Sequence, residues 1–209
     1  LPVSAIKNAR REAIDILSTS QMVDELPKTV IEFKELKSIS NQRTATRCFV
    51  SNSTAEQLDA VCGSDFVDEI AVPIHLFEKA SQVFSGGIYI SLPSILREEY
   101  VSNITIPDKA AGVIACSYDE LGYLNKIDYP LDKVIIDHRL YTFNNRSIKL
   151  FKEQGYSLNC IPYELSLKEL KHRDNRGSQM IIYSRIPMMI TANCTVKNTA
   201  GCKKSNDII

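Results

Sequence analysis

The sequence predicts an α/β protein of the (β/α) TIM-barrel-like class, with about seven to eight parallel strands, incomplete if the chain is an excised piece of a longer one. Three observations predict it. Short β-branched runs alternate with helix-patterned stretches seven times from Cys48 to Arg185, the pattern of a parallel sheet with right-handed crossovers. The runs VIIDH, GVIAC and MIIYS are nearly all apolar, as strands covered on both faces are. The first run, RCFVS, leads into NSTAEQ without the glycine-rich phosphate turn that an open, doubly wound sheet usually carries there.

Residues 1–46 are predicted to form an N-terminal helix and a connector. Ser4 can cap the helix, and Ile6, Ala9, Ala13, Ile14 and Leu17 recur at helical spacing. The stretch from Leu26 to Arg47 is charged, lacks a clean period and reads as the connector. Residues 47–209 are predicted to form the barrel-like domain, ending in a truncated cysteine loop. RCFVS precedes STAEQLDAVCG, where Ser53 can cap. DEIAVPI precedes HLFEKASQVFSGG, where Gly86 and Gly87 stop the helix. IYISLP precedes SILREEYV, and GVIACS precedes YDELGYL. KVIIDH precedes NNRSIKLFKEQG, stopped by Gly155. YSLNCIPYE precedes LSLKELKH, and QMIIYSR forms the last strand. A short eighth strand near Met188 to Thr191, or the N-terminal segment, could complete a barrel.

Composition sets the bounds. A chain of 209 residues can bury roughly 70% of its unfolded surface and needs no disulfide or metal merely to fold. Lys plus Arg equals Asp plus Glu at 25 each, so no bulk field draws nucleic acid or an anionic membrane. No apolar run approaches the ~20 residues of a membrane span. The start is not a signal peptide, because charge interrupts it at once. A cytoplasmic setting is expected, and the missing initiator Met suggests a longer parent. Cys48, Cys62, Cys116 and Cys160 fall in strand or helix patterns and read as reduced, packed thiols.

Barrels of this kind work at the C-terminal ends of their strands. The fifth run ends in Asp137, His138 and Arg139, with Tyr141 and Asn144 just after. The sixth ends in Pro162, Tyr163 and Glu164, and the seventh in Ser184 and Arg185. Asp137, Asn144, Glu164 and Arg185 are therefore the candidate catalytic set, with an ion pair expected between Glu164 and Arg185. Each also has a structural reading, since strand ends often cap the next helix. The chain lacks a GxSxG elbow, an HExxH run and a P-loop. Alternation along a strand points Asp137 and His138 to opposite faces, which argues against a carboxylate–imidazole pair. His172, in KHRDNRG, reads as part of a solvated loop.

IPMMITANCTVKNTAGC places Cys194 and Cys202 in a polar loop with seven residues between them. They are not core cysteines. Thiolates suit soft metals and iron–sulfur clusters, but a cluster takes about four of them. Two unpaired loop thiols, or a local disulfide, are the plain alternative.

The segments LPVSAIKNARREAIDIL, VIIDHRLYTFNNRSIKLFKEQG, CIPYELSLKEL and YSRIPMMITANCTVKNTAGC together resemble the bacterial collagenase-like peptidases of family U-32, in the carboxy-terminal part of its longer members. The resemblance covers nearly the whole chain, with the connector weakest. Asp137, Leu140, Phe143 and Asn144 match the family's D-x-x-L-x-x-[FY]-N run, and Gly155 follows. Pro162, Glu164, Leu165 and Ser166 match P-x-E-L-S, and Arg185, Pro187, Met189 and Cys194 match the run into the cysteine loop. Ser184 stands where Gly is usual. The His-Gly-Ala-x-Cys signature of the first half is absent, and the loop stops before its further cysteines.

The resemblance implies a barrel and two activities. The family label is peptidase, tied to collagen breakdown in some members, with no agreed catalytic residues. Other members resemble oxygen-independent hydroxylation proteins that act on RNA bases or quinones and carry a four-cysteine iron–sulfur cluster. Cys194 and Cys202 would be half of that cluster's ligands in the full-length protein, with no cluster expected in this fragment. The loop thiols favour the iron–sulfur chemistry, while the label says proteolysis. A third reading is a non-catalytic docking half. The expected partners are the missing N-terminal half of the parent and a peptide or RNA substrate, with no membrane.

Overall fold

The structure is a computed structural model that describes residues 2–20, 46–96, 104–190 and 199. The chain divides into two compact units, Leu1–Lys37 and Ser38–Ile209. The division falls inside the predicted connector.

The first unit contains α1 (Val3–Ser20). Ala5 N and Ile6 N both donate to Pro2 O, so the helix begins at Val3 and Ser4 lies in its first turn instead of capping it. Val3, Ile6, Ile14, Ile16 and Leu17 are all exposed. Among the described residues no helix is long and apolar enough to cross a membrane.

The second unit carries seven parallel strands in the order of the sequence, curled into a half-barrel with helices between them. They are β1 (Phe49–Ser51), β2 (Glu69–Pro73), β3 (Gly87–Ser91), β4 (Gly112–Ala115), β5 (Val134–Ile136), β6 (Leu158–Cys160) and β7 (Ser178–Gln179). The helices are α2 (Ala55–Cys62), α3 (Phe77–Val83), α4 (Tyr118–Lys126), α5 (Asn145–Glu153) and α6 (Leu167–Leu170). The helix predicted in SILREEYV falls mostly outside the described residues.

Helix starts are fixed by local side chains. Thr54, not the expected Ser53, caps α2: its hydroxyl accepts from Gln57 N while Gln57 Oε1 accepts from Thr54 N. Asn144 caps α5, and Ser166 with Glu169 forms a capping box on α6. Each satisfies N–H groups that have no partner within the first helical turn. Gly155 closes α5 at φ +102°, a backbone geometry that L side chains rarely adopt.

Register sorts the strand residues into two faces. Ile70, Val72, Ile88, Ile90, Val113, Ala115, Val134 and Ile136 are buried with Leu58, Phe77, Ala80, Leu121, Leu124 and Phe151 of the helices. This layer is the main core. Ala71, Tyr89 and Ile135 form a smaller cluster on the other face, with Phe49, Ile114 and Leu158 against it. At Gly112 a Cβ would run into Lys133 O and come within 2.7 Å of the Tyr89 ring, so only glycine fits beneath that ring.

The last unit is built differently. The row that carries Ile136 continues through Asn159 to Ser178, so polar residues take the core-facing places. Arg173 fills the gap, 2% exposed. Its guanidinium donates to Thr142 O (2.8 Å), Thr142 Oγ1 (2.9 Å), Asn159 Oδ1 (2.7 Å), Asn175 Oδ1 (3.0 Å), Ser178 Oγ (3.1 Å) and Asp174 O (3.2 Å). Burial pulls the Arg173 pKa down from its ordinary value. Asp174 is buried beside it and accepts from Lys152 and from Arg176. KHRDNRG is therefore an anchored segment, not a solvated loop, although His172 itself is exposed.

The seventh strand is much shorter than predicted. Only Ser178 and Gln179 pair with β6, and residues 180–190 contain no strand. The predicted eighth strand has no counterpart at 188–190, and Thr191 lies outside the described residues. Periodicity alone reads QMIIYSR as a strand. Yet β6 itself has only three residues and offers no longer partner. Met180, Ile182, Tyr183, Met188 and Met189 are left exposed.

Candidate active site

The C-terminal ends of β3 to β6 bring together Ser94, Cys116, Glu120, Asp137, His138, Arg139, Cys160 and Tyr163. Asp137 N donates to Ala115 O at 2.9 Å, which prolongs the β4–β5 pairing by one residue. The chain then turns into a 3-10 helix at His138–Leu140, capped by Asp137. This early end of the strand overturns the expectation that Asp137 and His138 point apart. His138 Nδ1 lies 3.1 Å from Asp137 Oδ1, because the turn swings the imidazole back towards the carboxylate.

The same oxygen accepts from Arg139 N at 3.0 Å and Arg139 Nε at 2.8 Å. Arg139 Nη1 donates to Ser94 Oγ at 3.1 Å, which ties the loop after β3 to the end of β5. Burial works to raise the Asp137 pKa, but the close approach of His138 together with the hydrogen bonds and charge of Arg139 prevails and holds it below the ordinary carboxylate value. Burial opposes the charge on Arg139 as well, and Asp137 more than offsets it, so the Arg139 pKa is raised.

His138 is largely enclosed, with 13% of its side chain exposed. Its contact with Asp137 is close but off-line, and neither ring nitrogen has a hydrogen-bond partner among the described residues. The Tyr163 ring lies 4.6 Å from the imidazole at 46°. Tyr141, at φ 53°, stands just past the 3-10 helix and stacks on Phe143 at 5.4 Å and 8°. Tyr141, Phe143 and Tyr163 all present exposed aromatic surface at this end of the sheet.

Two thiols flank the pair. Cys116 Sγ donates to Glu120 Oε1 at 2.8 Å, and Cys116 N donates to Glu120 Oε2 at 2.7 Å. Glu120 is fully buried, and burial raises its pKa. Burial, then the carboxylate beside it, pushes the Cys116 thiol well above its usual range. Burial pushes Cys160 up to about 12. Both are thiols near neutrality, and a thiol is a poor nucleophile and a poor metal ligand.

The predicted residues fare unequally. Asp137 sits at the centre of the cluster. Asn144 accepts from Arg146 N and Ser147 N and acts as a helix cap. Glu164 lies exposed in the turn after β6, at the same end of the sheet. Arg185 is exposed well past the end of β7, and no ion pair joins it to Glu164. Cys194 and Cys202 lie outside the described residues. The described residues contain no group of three or more His, Cys, Asp or Glu that could hold a metal. Cys48, Cys62, Cys116 and Cys160 are free thiols.

Sequence reasoning missed His138, Arg139 and Glu120. The signal for Glu120 was present: Ser117 followed by Glu120 is the spacing of a helix start. A separate hollow lined by Ile104, Pro107, Tyr123, Tyr129 and Lys133 lies at the N-terminal ends of β4 and β5. Its charged lining residues, Asp108, Asp128 and Lys133, are exposed and form no ion pair among the described residues. A scan of protein-family models and searches of curated proteins and of solved structures give no match to the chain.

Proposed function

We propose that this chain is the carboxy-terminal part of a collagenase-like peptidase of family U-32, and that it hydrolyses peptide bonds at the C-terminal ends of its strands. The observation that carries the reading is the contact between Asp137 and His138 at that end of the sheet. Hydrolysis needs a group that can take a proton from the attacking nucleophile, oriented by a neighbour. The sequence alone argued against such a pair. Arg139 is poised beside it, with Nε and Nη1 engaged and its planar fork fixed. The exposed rings of Tyr141, Phe143 and Tyr163 suit an extended, proline-rich chain, which docks on aromatic surfaces.

The test is cleavage of gelatin by the chain, alone and with an amino-terminal half supplied by a longer parent. Cleavage that persists after chelator treatment and after loss of both Cys194 and Cys202 supports hydrolysis by the rim. Absence of cleavage under every condition rejects it.

A second reading, iron–sulfur-dependent modification of RNA or a small aromatic substrate, is favoured by the polar loop that carries Cys194 and Cys202. Such a cluster would supply one-electron chemistry. Cys116 and Cys160 do not fit it, because they are held as buried thiols. Its ligands would therefore be the two loop cysteines and thiolates from a longer chain. A chain extended past Ile209 should then take up iron and turn brown on anaerobic reconstitution, and Cys194→Ser should reduce both. An extended chain that stays colourless with its thiols reduced removes this reading.

A further inference from the structure

We infer that His138 is the proton-transferring catalytic residue of this site, positioned by Asp137 and covered by Tyr163. This rests on the hydrolytic reading and names the group that performs it. An imidazole whose two buried nitrogens have no hydrogen-bond partner among the described residues is unusual, since buried polar groups nearly always find partners. It is not displaced core, because it lies at the C-terminal end of β5, where such folds place their chemistry. The carboxylate 3.1 Å from Nδ1 favours the proton on that nitrogen and leaves the Nε2 lone pair free to act as a base. Arg139 Nε holds the same carboxylate oxygen at 2.8 Å. Among the described residues, the charged and titratable groups at the ring are Asp137 and Arg139 on its own turn, Cys160 of β6 and Tyr163 after β6, with Cys116 and Glu120 of β4 and α4 on the side of Arg139.

Nε2 is buried at present, and the exposed Tyr163 ring lies 4.6 Å from the imidazole. Rotation of Tyr163 opens the nitrogen to a bound peptide. Nε2 then takes a proton from water as the water oxygen bonds to the peptide carbonyl carbon. The Arg139 guanidinium faces the charge that develops on the carbonyl oxygen. The imidazolium returns the proton to the amide nitrogen as the carbon–nitrogen bond breaks. The products are a carboxylic acid and an amine, and no oxidant or reductant is required.

The experiment uses the full chain with gelatin and with a fluorogenic Gly-Pro-rich peptide. His138→Gln should lower kcat by about 10²- to 10⁴-fold, the usual contribution of a positioned acid or base, with KM changed by less than about threefold. Asp137→Asn should lower kcat in the same direction, because the ring loses its orienting charge. In ¹⁵N-labelled native protein, an uncleavable peptide with a reduced amide should shift the Nε2 resonance of His138, a readout that needs no variant to fold. If the wild type cleaves and His138→Gln keeps its kcat within about threefold, the assignment is overturned while the hydrolytic reading stands. An Nε2 resonance unmoved by saturating peptide overturns it as well. If the wild type cleaves neither substrate, the hydrolytic reading falls and takes this assignment with it.

Discussion

Replacing Arg173 by Met should cost the domain about 3–5 kcal/mol. Among the described residues the guanidinium makes six hydrogen bonds, in a site 2% exposed. A hydrogen bond to a charged group contributes roughly 1.5–3 kcal/mol, but six of these cannot be added. Their sum would exceed the whole stability of a typical domain, about 5–15 kcal/mol, because taking the guanidinium out of water offsets much of it. The loss is better counted from what remains. Met fills most of the volume, so the cavity contribution is small. Asn159 Oδ1 keeps Ser178 Oγ at 2.9 Å. Thr142 O and Asp174 O lose the Arg173 donor, and an unsatisfied buried acceptor costs about 1–3 kcal/mol. Two of these, with the charge of Asp174 less well matched, give the stated range. Arg173→Lys keeps the charge but offers three donors on a flexible stem, so it should fall between Met and wild type. Urea unfolding with a common slope provides the measurement. Lys149→Met is the control, since it removes only an exposed pair with Glu153, for which about 0.5 kcal/mol is expected. A loss below about 1 kcal/mol for Arg173→Met would refute the view that this residue substitutes for core in the last βα unit.

Three further outcomes follow from the geometry. Glu120 has its folded pKa raised by burial, so its contribution to stability is complete below the unfolded carboxyl value and is lost as pH rises through the folded one. Glu120→Gln removes that loss, and urea melts at pH 5 and pH 8 should show the variant gaining on wild type at the higher pH; parallel curves would reject the argument. Gly112→Ala should cost about 1–3 kcal/mol by overpacking against Lys133 O and Tyr89. By contrast Gly122→Ala, in α4 with nothing within 4 Å, should stabilise by about 0.5–1 kcal/mol, and thermal melts that fail to separate the two glycines would count against the packing argument. Arg185→Lys, at an exposed residue outside the cluster, should leave gelatin cleavage unchanged, and a large drop in kcat would return Arg185 to the site.

Much of the architecture was legible because α/β chains declare it locally. VIIDH and GVIAC have no polar face to mistake, and Gly155 can stop a helix where other residues would strain. The cap of α2 was legible to within one residue: Ser53 and Thr54 offer the same hydroxyl, and only Gln57, three residues beyond Thr54, distinguishes them. The end of the sheet was not legible. MIIYS has strand composition, but a strand also needs a partner, and β6 is too short to supply one. KHRDNRG looked solvated because charge usually means exposure, and burial of Arg173 depends on Thr142 and Asn159 from distant parts of the chain. The site failed for a related reason. Alternation correctly opposes Asp137 to His138 while a strand continues, but this strand stops at Ile136. Asp137 was found by position. His138 required knowing where the chain turns.

The strand order carries a consequence for how the domain is made. Every pairing joins strands that are consecutive in the chain, so none must wait for a distant partner. Each closure spans one βα unit, and its entropy cost grows only as the logarithm of loop length. A nascent chain can therefore add one unit at a time as it leaves the ribosome, with each new strand zipping onto the free edge of the last. The exposed edge moves along with synthesis, and the last pairing among the described residues is at β7, where two residues pair with β6. Pulse-labelled exchange on ribosome-bound chains of increasing length should show protection spreading from β1–β2 towards β6. Protection that arrives everywhere at once would mean that the units fold only together.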